Sequence, residues 1–149
     1  WIQAVLEHVV DHQMVVREIY RVLKKDGLVY SEIPFMQQVH EGRYDFTRFT
    51  LSGHRYLFKH FQLVKFGPLD GPSAALLWSL RYWIWSLTRS RNIARGAHFM
   101  VSFLIKPFVY LESQKSRSDS FSGSFFMGKK SGQTIRHKDL LCLYNGNIS

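Results

Sequence analysis

The residues of this chain whose types can do chemistry fall in two short stretches: Glu7 and His8, then His40, Glu41, Asp45 and Arg48. An imidazole titrates near neutral pH, so His40 is the natural group to take or give a proton. The guanidinium of Arg48 can clamp a phosphate or carboxylate through two parallel hydrogen bonds. Alternatively, it can pair with Asp45 and fold the segment that holds both. Glu7 and His8 directly follow an apolar run, Trp1 to Leu6. In open α/β sheets, ligands sit beyond the carboxyl ends of strands. The alternative for Glu7 is a helix-opening turn in which its charge favours the helix dipole. Tyr44, Phe46 and Phe49 read as anchors of their loop rather than as a stacking platform. The lone cysteine, Cys142, completes no disulfide framework and no metal motif, so no metal site is expected.

Positioning these residues falls to the elements around them. The run Trp1 to Leu6 suits a buried strand. Asp11 can cap a helix in which Val15, Ile19, Val22 and Leu23 recur at helical spacing, with Lys24 and Lys25 in its last turn. Gly27 is the expected left-handed residue that ends this helix. Leu28 to Ile33 reads as the next strand, stopped by Pro34, and together they make one strand–helix–strand crossover unit. The loop from Pro34 to Phe49 is long for a connector, and long loops after strand ends tend to carry function. A helix is expected over Thr50 to Phe61, with Leu57, Phe58 and Phe61 facing the core, then a strand over Gln62 to Phe66. Ser113 to Ser122 reads as a polar loop and Ser124 to Lys129 as a final strand; residues 132–149 show no period, and no structure is assigned to them.

Between these lie two apolar helical stretches, Ala74 to Leu87 and Ala94 to Leu111, joined by a basic link and with Pro107 expected to kink or end the second. Trp83 belongs to the apolar stripe of the first, Trp78, Tyr82 and Trp85 widen its apolar surface beyond that stripe, and Arg81, Arg89, Arg91 and Arg95 flank it. Arg81 interrupts the run, so neither stretch reads as a membrane span. The pair suits a membrane surface, a cap packed on the sheet, or a dimer interface. The 149 residues suit one domain, and 46% hydrophobic content argues against global disorder. The net charge of +9 favours an anionic partner: a phosphorylated sugar or lipid, the inner membrane surface, or nucleic acid. Lys129, Lys130, Arg136 and Lys138 form a basic tail without any RNA-binding motif, so a solvated tail is expected and nucleic acid is not. A single cysteine and no visible signal peptide point to the cytoplasm.

Two segments carry a family resemblance. Ala4-Val5-Leu6-Glu7-His8-Val9 followed by Arg17-Glu18-Ile19-Tyr20-Arg21-Val22-Leu23-Lys24-Lys25-Asp26-Gly27 resembles the later half of class I S-adenosylmethionine-dependent methyltransferases of the type 11 kind. There a strand ends in an LEH turn, and a helix ends in Pro-Gly-Gly where this chain has Lys25-Asp26-Gly27. Pro34-Phe35, His40-Glu41-Gly42, Tyr44 to Thr50 and, more loosely, Ser122 to Lys130 are similar to a bacterial subgroup that accompanies surface-polysaccharide and glycosyl-transfer genes. The resemblance implies an α/β fold: the C-terminal part of a Rossmann-like seven-stranded sheet, over residues 1–131, with a two-helix insertion at about 73–112 before the last strand. It implies S-adenosylmethionine as cofactor, lined by Leu6, Glu7 and His8. His40, Asp45 and Arg48 would be the catalytic group, and a small-molecule or lipid-linked glycan the acceptor. The family's glycine-rich turn, which cradles the cofactor, has no counterpart here, so the chain is expected to be a fragment inactive alone. The alternatives are a membrane-peripheral binding protein with a decayed methyltransferase fold, contacting the membrane through residues 74–111, and an RNA-modifying methyltransferase.

Overall fold

The computed structural model describes residues 1–146 and has a mixed α/β architecture; of the tail 132–149, the last three residues lie outside the described residues. The chain opens with β1, Ile2–Gln3, shorter than the expected strand because Ala4 turns at φ 50°. A 3₁₀ turn follows over Leu6–His8 and then α1, His12–Val22. Asp11 caps α1 as expected, accepting from the Met14 amide at 2.8 Å. The buried face of α1 centres on Val16, 4% exposed, whereas Val22, one of the apolar set at helical spacing, is 62% exposed.

The turn after α1 corrects another expectation. Asp26, not Gly27, adopts the left-handed conformation, at φ 63°, which a short polar side chain tolerates. Gly27 is needed for space instead: a Cβ there would meet Leu23 Cγ at 2.7 Å and the Lys24 carbonyl at 2.9 Å.

β2, Leu28–Pro34, runs parallel to β1, pairing Ile2 with Ser31 and Gln3 with Glu32. The loop after Pro34 holds one 3₁₀ turn, Gly42–Tyr44, and leads into α2, Leu51–Leu57, capped by Thr50. This helix is shorter than the expected Thr50 to Phe61, because the chain turns through Phe58 to His60 before β3, Phe61–Pro68. Phe58 and Phe61 are buried as expected. Helices α3, Pro72–Thr88, and α4, Arg91–Ile105, pack against each other across a left-handed Arg89. The α-helical geometry of α4 gives way at Pro107 to a 3₁₀ stretch over Lys106–Leu111. Ser113 to Ser122, expected as a loop, contains α5, Gln114–Asp119, because Ser113 caps it through the Ser116 amide. The last strand is β4, Gly123–Lys130, and α6, His137–Leu141, lies in the tail.

The sheet has four strands in the order β1-β2-β4-β3. β4 is antiparallel to both its neighbours, pairing Leu28 with Lys129 on one side and Phe61 with Lys130 on the other, with an irregularity between Leu63 and Lys65. The core gathers Leu6, Val16, Val29, Ile33, Phe58, Phe61 and Phe126, with Phe58 stacked on Phe126 at 4.7 Å between ring centroids. Two polar groups of α2 are sunk into it. The ring of His54 is hydrogen-bonded to Ser124 Oγ at 2.9 Å and Ser31 Oγ at 3.1 Å, and burial pushes its pKa down to about 3. Arg55 donates to the carbonyls of Phe58 and Phe61, and burial lowers its pKa too. The helical pair is far less enclosed: Ala75 in α3 and Ala94 in α4 are its buried positions.

Candidate functional site

The site begins where the chain leaves β1. Leu6 is fully buried in the core, within the 3₁₀ turn that carries Glu7 and His8. Glu7 is also fully buried. Its backbone carbonyl accepts from the amides of Phe46 and Thr47 at 2.8 and 3.3 Å. His8 Nδ1 donates to the Tyr44 carbonyl at 2.9 Å. These bonds stitch the loop after β2 onto the turn after β1, so two segments far apart in sequence share one surface.

Within that loop Asp45 and Arg48 form the internal pair that was one of the two readings of their spacing. Asp45 accepts from both terminal nitrogens of Arg48, and Arg48 also donates to the carbonyls of Gln37, Gln38 and Thr47. The hydrogen bond from Arg48 holds the Asp45 carboxyl down at about 2, against the opposing effect of burial. Asp45 Oδ2 also accepts from the His40 amide at 3.1 Å and lies 3.6 Å from His40 Nδ1. The guanidinium is thus spent on folding the loop, and the loop presents His40. Glu41 is exposed, and so are Tyr44 and Phe46, at 56% and 49%; of the three aromatics expected to anchor the loop, Phe49 alone is partly buried.

The side chains of Glu7, His8 and His40 converge. Glu7 Oε1 lies 3.8 Å from His8 Nε2 and 4.0 Å from His40 Nε2, and the two imidazoles meet edge to face at 5.2 Å. Among the described residues neither carboxylate oxygen of Glu7 has a hydrogen-bond partner. The spacing rules for metal motifs apply within one segment and gave no sign of this meeting, which the loop creates.

His40 also faces outward. With Val39 and Gly42 it borders a groove of about 380 Å³ whose far wall is Trp78, Arg81, Tyr82, Trp85, Arg91 and Arg95. The helical pair is tied to the loop there, Tyr82 donating to the Val39 carbonyl at 3.1 Å and Gln38 to Ser79 Oγ at 3.2 Å. The Arg91 guanidinium sits 4.6 Å above the Trp85 ring. Aromatic faces beside arginines suit a ring-bearing anionic ligand. The residue types of this wall stand out in the sequence; that they face His40 does not.

No curated protein matches the chain. A family model described as a methyltransferase domain matches residues 1–31, from β1 through α1 into β2, and over that part of the chain it supports a class I S-adenosylmethionine-dependent methyltransferase domain.

Proposed function

We propose that the protein transfers a methyl group from S-adenosylmethionine to a hydroxyl of a small or lipid-linked glycan acceptor. The observation that carries this reading is the placement of His40, with Glu7 in the 3₁₀ turn after β1 on one side and the arginine- and tryptophan-lined groove on the other. The turn after β1 fits one flank of the cofactor: a buried carboxylate with both oxygens unpartnered calls for hydrogen-bond donors or positive charge. Glu7 and His8 would supply that flank, and the cofactor when bound supplies a methyl group made electrophilic by its sulfonium. The chain's own residues position and deprotonate. His40 takes the acceptor hydroxyl's proton on Nε2. Asp45 and Arg48 act as positioning residues that hold the His40 loop. Arg81, Arg91 and Arg95 offset a phosphate on the acceptor, and Trp78 and Trp85 offer faces to its ring.

The test is calorimetric titration of S-adenosylmethionine into this chain and into the full product of its gene, followed by turnover of His40→Ala. Binding with a His40-dependent loss of at least tenfold in kcat supports the reading. Absence of binding to both proteins sinks it.

A second reading rests on a different observation. α4 and the 3₁₀ stretch after it hold Phe99, Phe103, Phe108 and Tyr110 in solvent at 77%, 76%, 61% and 85% exposure. Among the described residues no helix is long and apolar enough to cross a membrane. Such a face, with arginines nearby, suits lying on an anionic bilayer, where a lipid-linked acceptor is found. Co-sedimentation with anionic vesicles tests it: a Phe99→Ser/Phe103→Ser variant that sediments like the parent removes this reading.

A further inference from the structure

The hydrogen-bonding groups of Glu7, His8 and His40 leave one another unsatisfied. His8 Nδ1 faces the Tyr44 carbonyl at 2.9 Å, and a carbonyl only accepts, so Nδ1 carries the proton. His40 Nδ1 likewise faces acceptors, the Gln38 carbonyl at 3.4 Å and Asp45 Oδ2 at 3.6 Å. In the neutral rings both Nε2 atoms are then bare lone pairs, 3.8 and 4.0 Å from Glu7 Oε1. A fully buried carboxylate and two imidazole nitrogens converge with no donor among them. Lone pairs repel, and a buried anion without a counter-charge is costly. A positive charge at their centre, a proton or a metal ion, resolves the clash.

We propose that Glu7, His8 and His40 form a binding site for one divalent first-row transition ion such as Zn²⁺, Mn²⁺ or Fe²⁺. Two imidazoles and one carboxylate are the donor set such ions favour, whereas Mg²⁺ and Ca²⁺ prefer oxygen alone. The ligand atoms all lie within 4.8 Å of one another. The two Glu7 separations, 3.8 and 4.0 Å, fall inside the span of about 4.2 Å open to two ligands each about 2.1 Å from one ion. Closing to a tetrahedral edge of about 3.4 Å asks for small rotations of His8 and His40, whose side chains are 22% and 27% exposed. The outer contacts are already in place: a carbonyl behind one imidazole, a carbonyl and the Arg48-paired Asp45 behind the other, the arrangement that fixes the tautomer and aims Nε2 at a metal. Three protein ligands leave coordination positions free.

An extension rests on the proposed methyl transfer. With the ion bound, His40 Nε2 is a ligand and no longer takes the proton. Such an ion would supply Lewis acidity to an acceptor hydroxyl in a free position, whose proton would then pass to solvent.

The experiment uses the metals alone. The chain is stripped with chelator and titrated with Zn²⁺ by calorimetry and with Co²⁺ by visible absorbance, beside Glu7→Gln, His8→Ala, His40→Ala and a control, His60→Ala. His60 lies elsewhere, bonded to Thr134. The expected result is one equivalent bound by the parent and the control, a Co²⁺ spectrum of low coordination number, and a loss of at least 100-fold in affinity for each ligand variant. Folding of the variants is checked by circular dichroism; His40 is partly exposed, so its variant keeps the test sound if Glu7→Gln does not fold. Absence of stoichiometric binding by the folded parent, or binding that survives all three ligand changes, overturns the proposal. The titrations contain no S-adenosylmethionine, so their failure leaves the methyl-transfer reading standing, and the failure of that reading leaves the metal site standing.

Discussion

At His54 both ring nitrogens have partners, the hydroxyls of Ser124 and Ser31; at Glu7 neither carboxylate oxygen has one. Both groups are buried, at 1% and 0% exposure. A hydroxyl rotates to donate or accept, so two serines satisfy a neutral imidazole whichever tautomer it holds. The His54 cluster is closed and asks nothing of a ligand. The Glu7 cluster is made of acceptors that face acceptors, so it is complete only when something else enters. Burial alone therefore does not separate a structural histidine from a functional one; the balance of donors and acceptors does.

The largest expected effect breaks or confirms the closed half of this comparison. His54 has an ordinary pKa of 6.5 when unfolded and about 3 when folded. Between those values the unfolded chain binds a proton that the folded chain refuses, so stability falls as pH falls, by about 1.4 kcal/mol per pH unit. Urea unfolding from pH 7 down to 4 should show this slope, and His54→Gln should flatten it; a parent that is flat over the range means His54 is not neutral and buried. Next in size, Asp45→Asn should cost about 2 kcal/mol in thermal unfolding, because it leaves Arg48 without its counter-charge. The Asp45 carboxyl sits at about 2 against an ordinary 3.8, so its contribution is present above about pH 4 and lost toward 2. The open half is sharpened by Glu7→Gln. In chelator it should raise stability by about 1 kcal/mol, since a buried unpaired charge is removed. A destabilised Glu7→Gln would reveal a structural partner and erase the contrast. The smallest effect is His40→Ala, expected within about 0.5 kcal/mol of the parent in chelator, as for a partly exposed side chain outside the core.

Local features were legible in the sequence. The Asp11 cap, the stop at Pro34, the end of α4 at Pro107 and the burial of Phe58 and Phe61 each follow from a residue and its near neighbours. So does the Asp45–Arg48 pair, three positions apart, although its spacing alone left two readings open. What sequence reasoning missed depends on distant packing. Gly27 signals a helix end, but its requirement for space depends on where the Leu23 side chain and the Lys24 carbonyl lie, and the left-handed position falls one residue earlier, at Asp26. Ser113 and the polar run after it look like a loop until the cap is seen to close a helix turn. His54 carried no signal at all, because Ser31 and Ser124, the partners that make its burial tolerable, lie on two separate strands. The convergence of Glu7 and His8 with His40 depends on backbone bonds that the Phe46 and Thr47 amides donate to the Glu7 carbonyl.

The place of β4 has a consequence for the order of events during synthesis. β2 and β3 touch β4, not each other, yet β4 is the last of the four strands to emerge. Until Gly123 to Lys130 has left the ribosome, β3 has no ladder to join, and β2 has only its two-residue pairing with β1. Closing the sheet is a long-range, late and slow event, and the nascent chain is most prone to aggregation or to capture by a chaperone in the interval just before it.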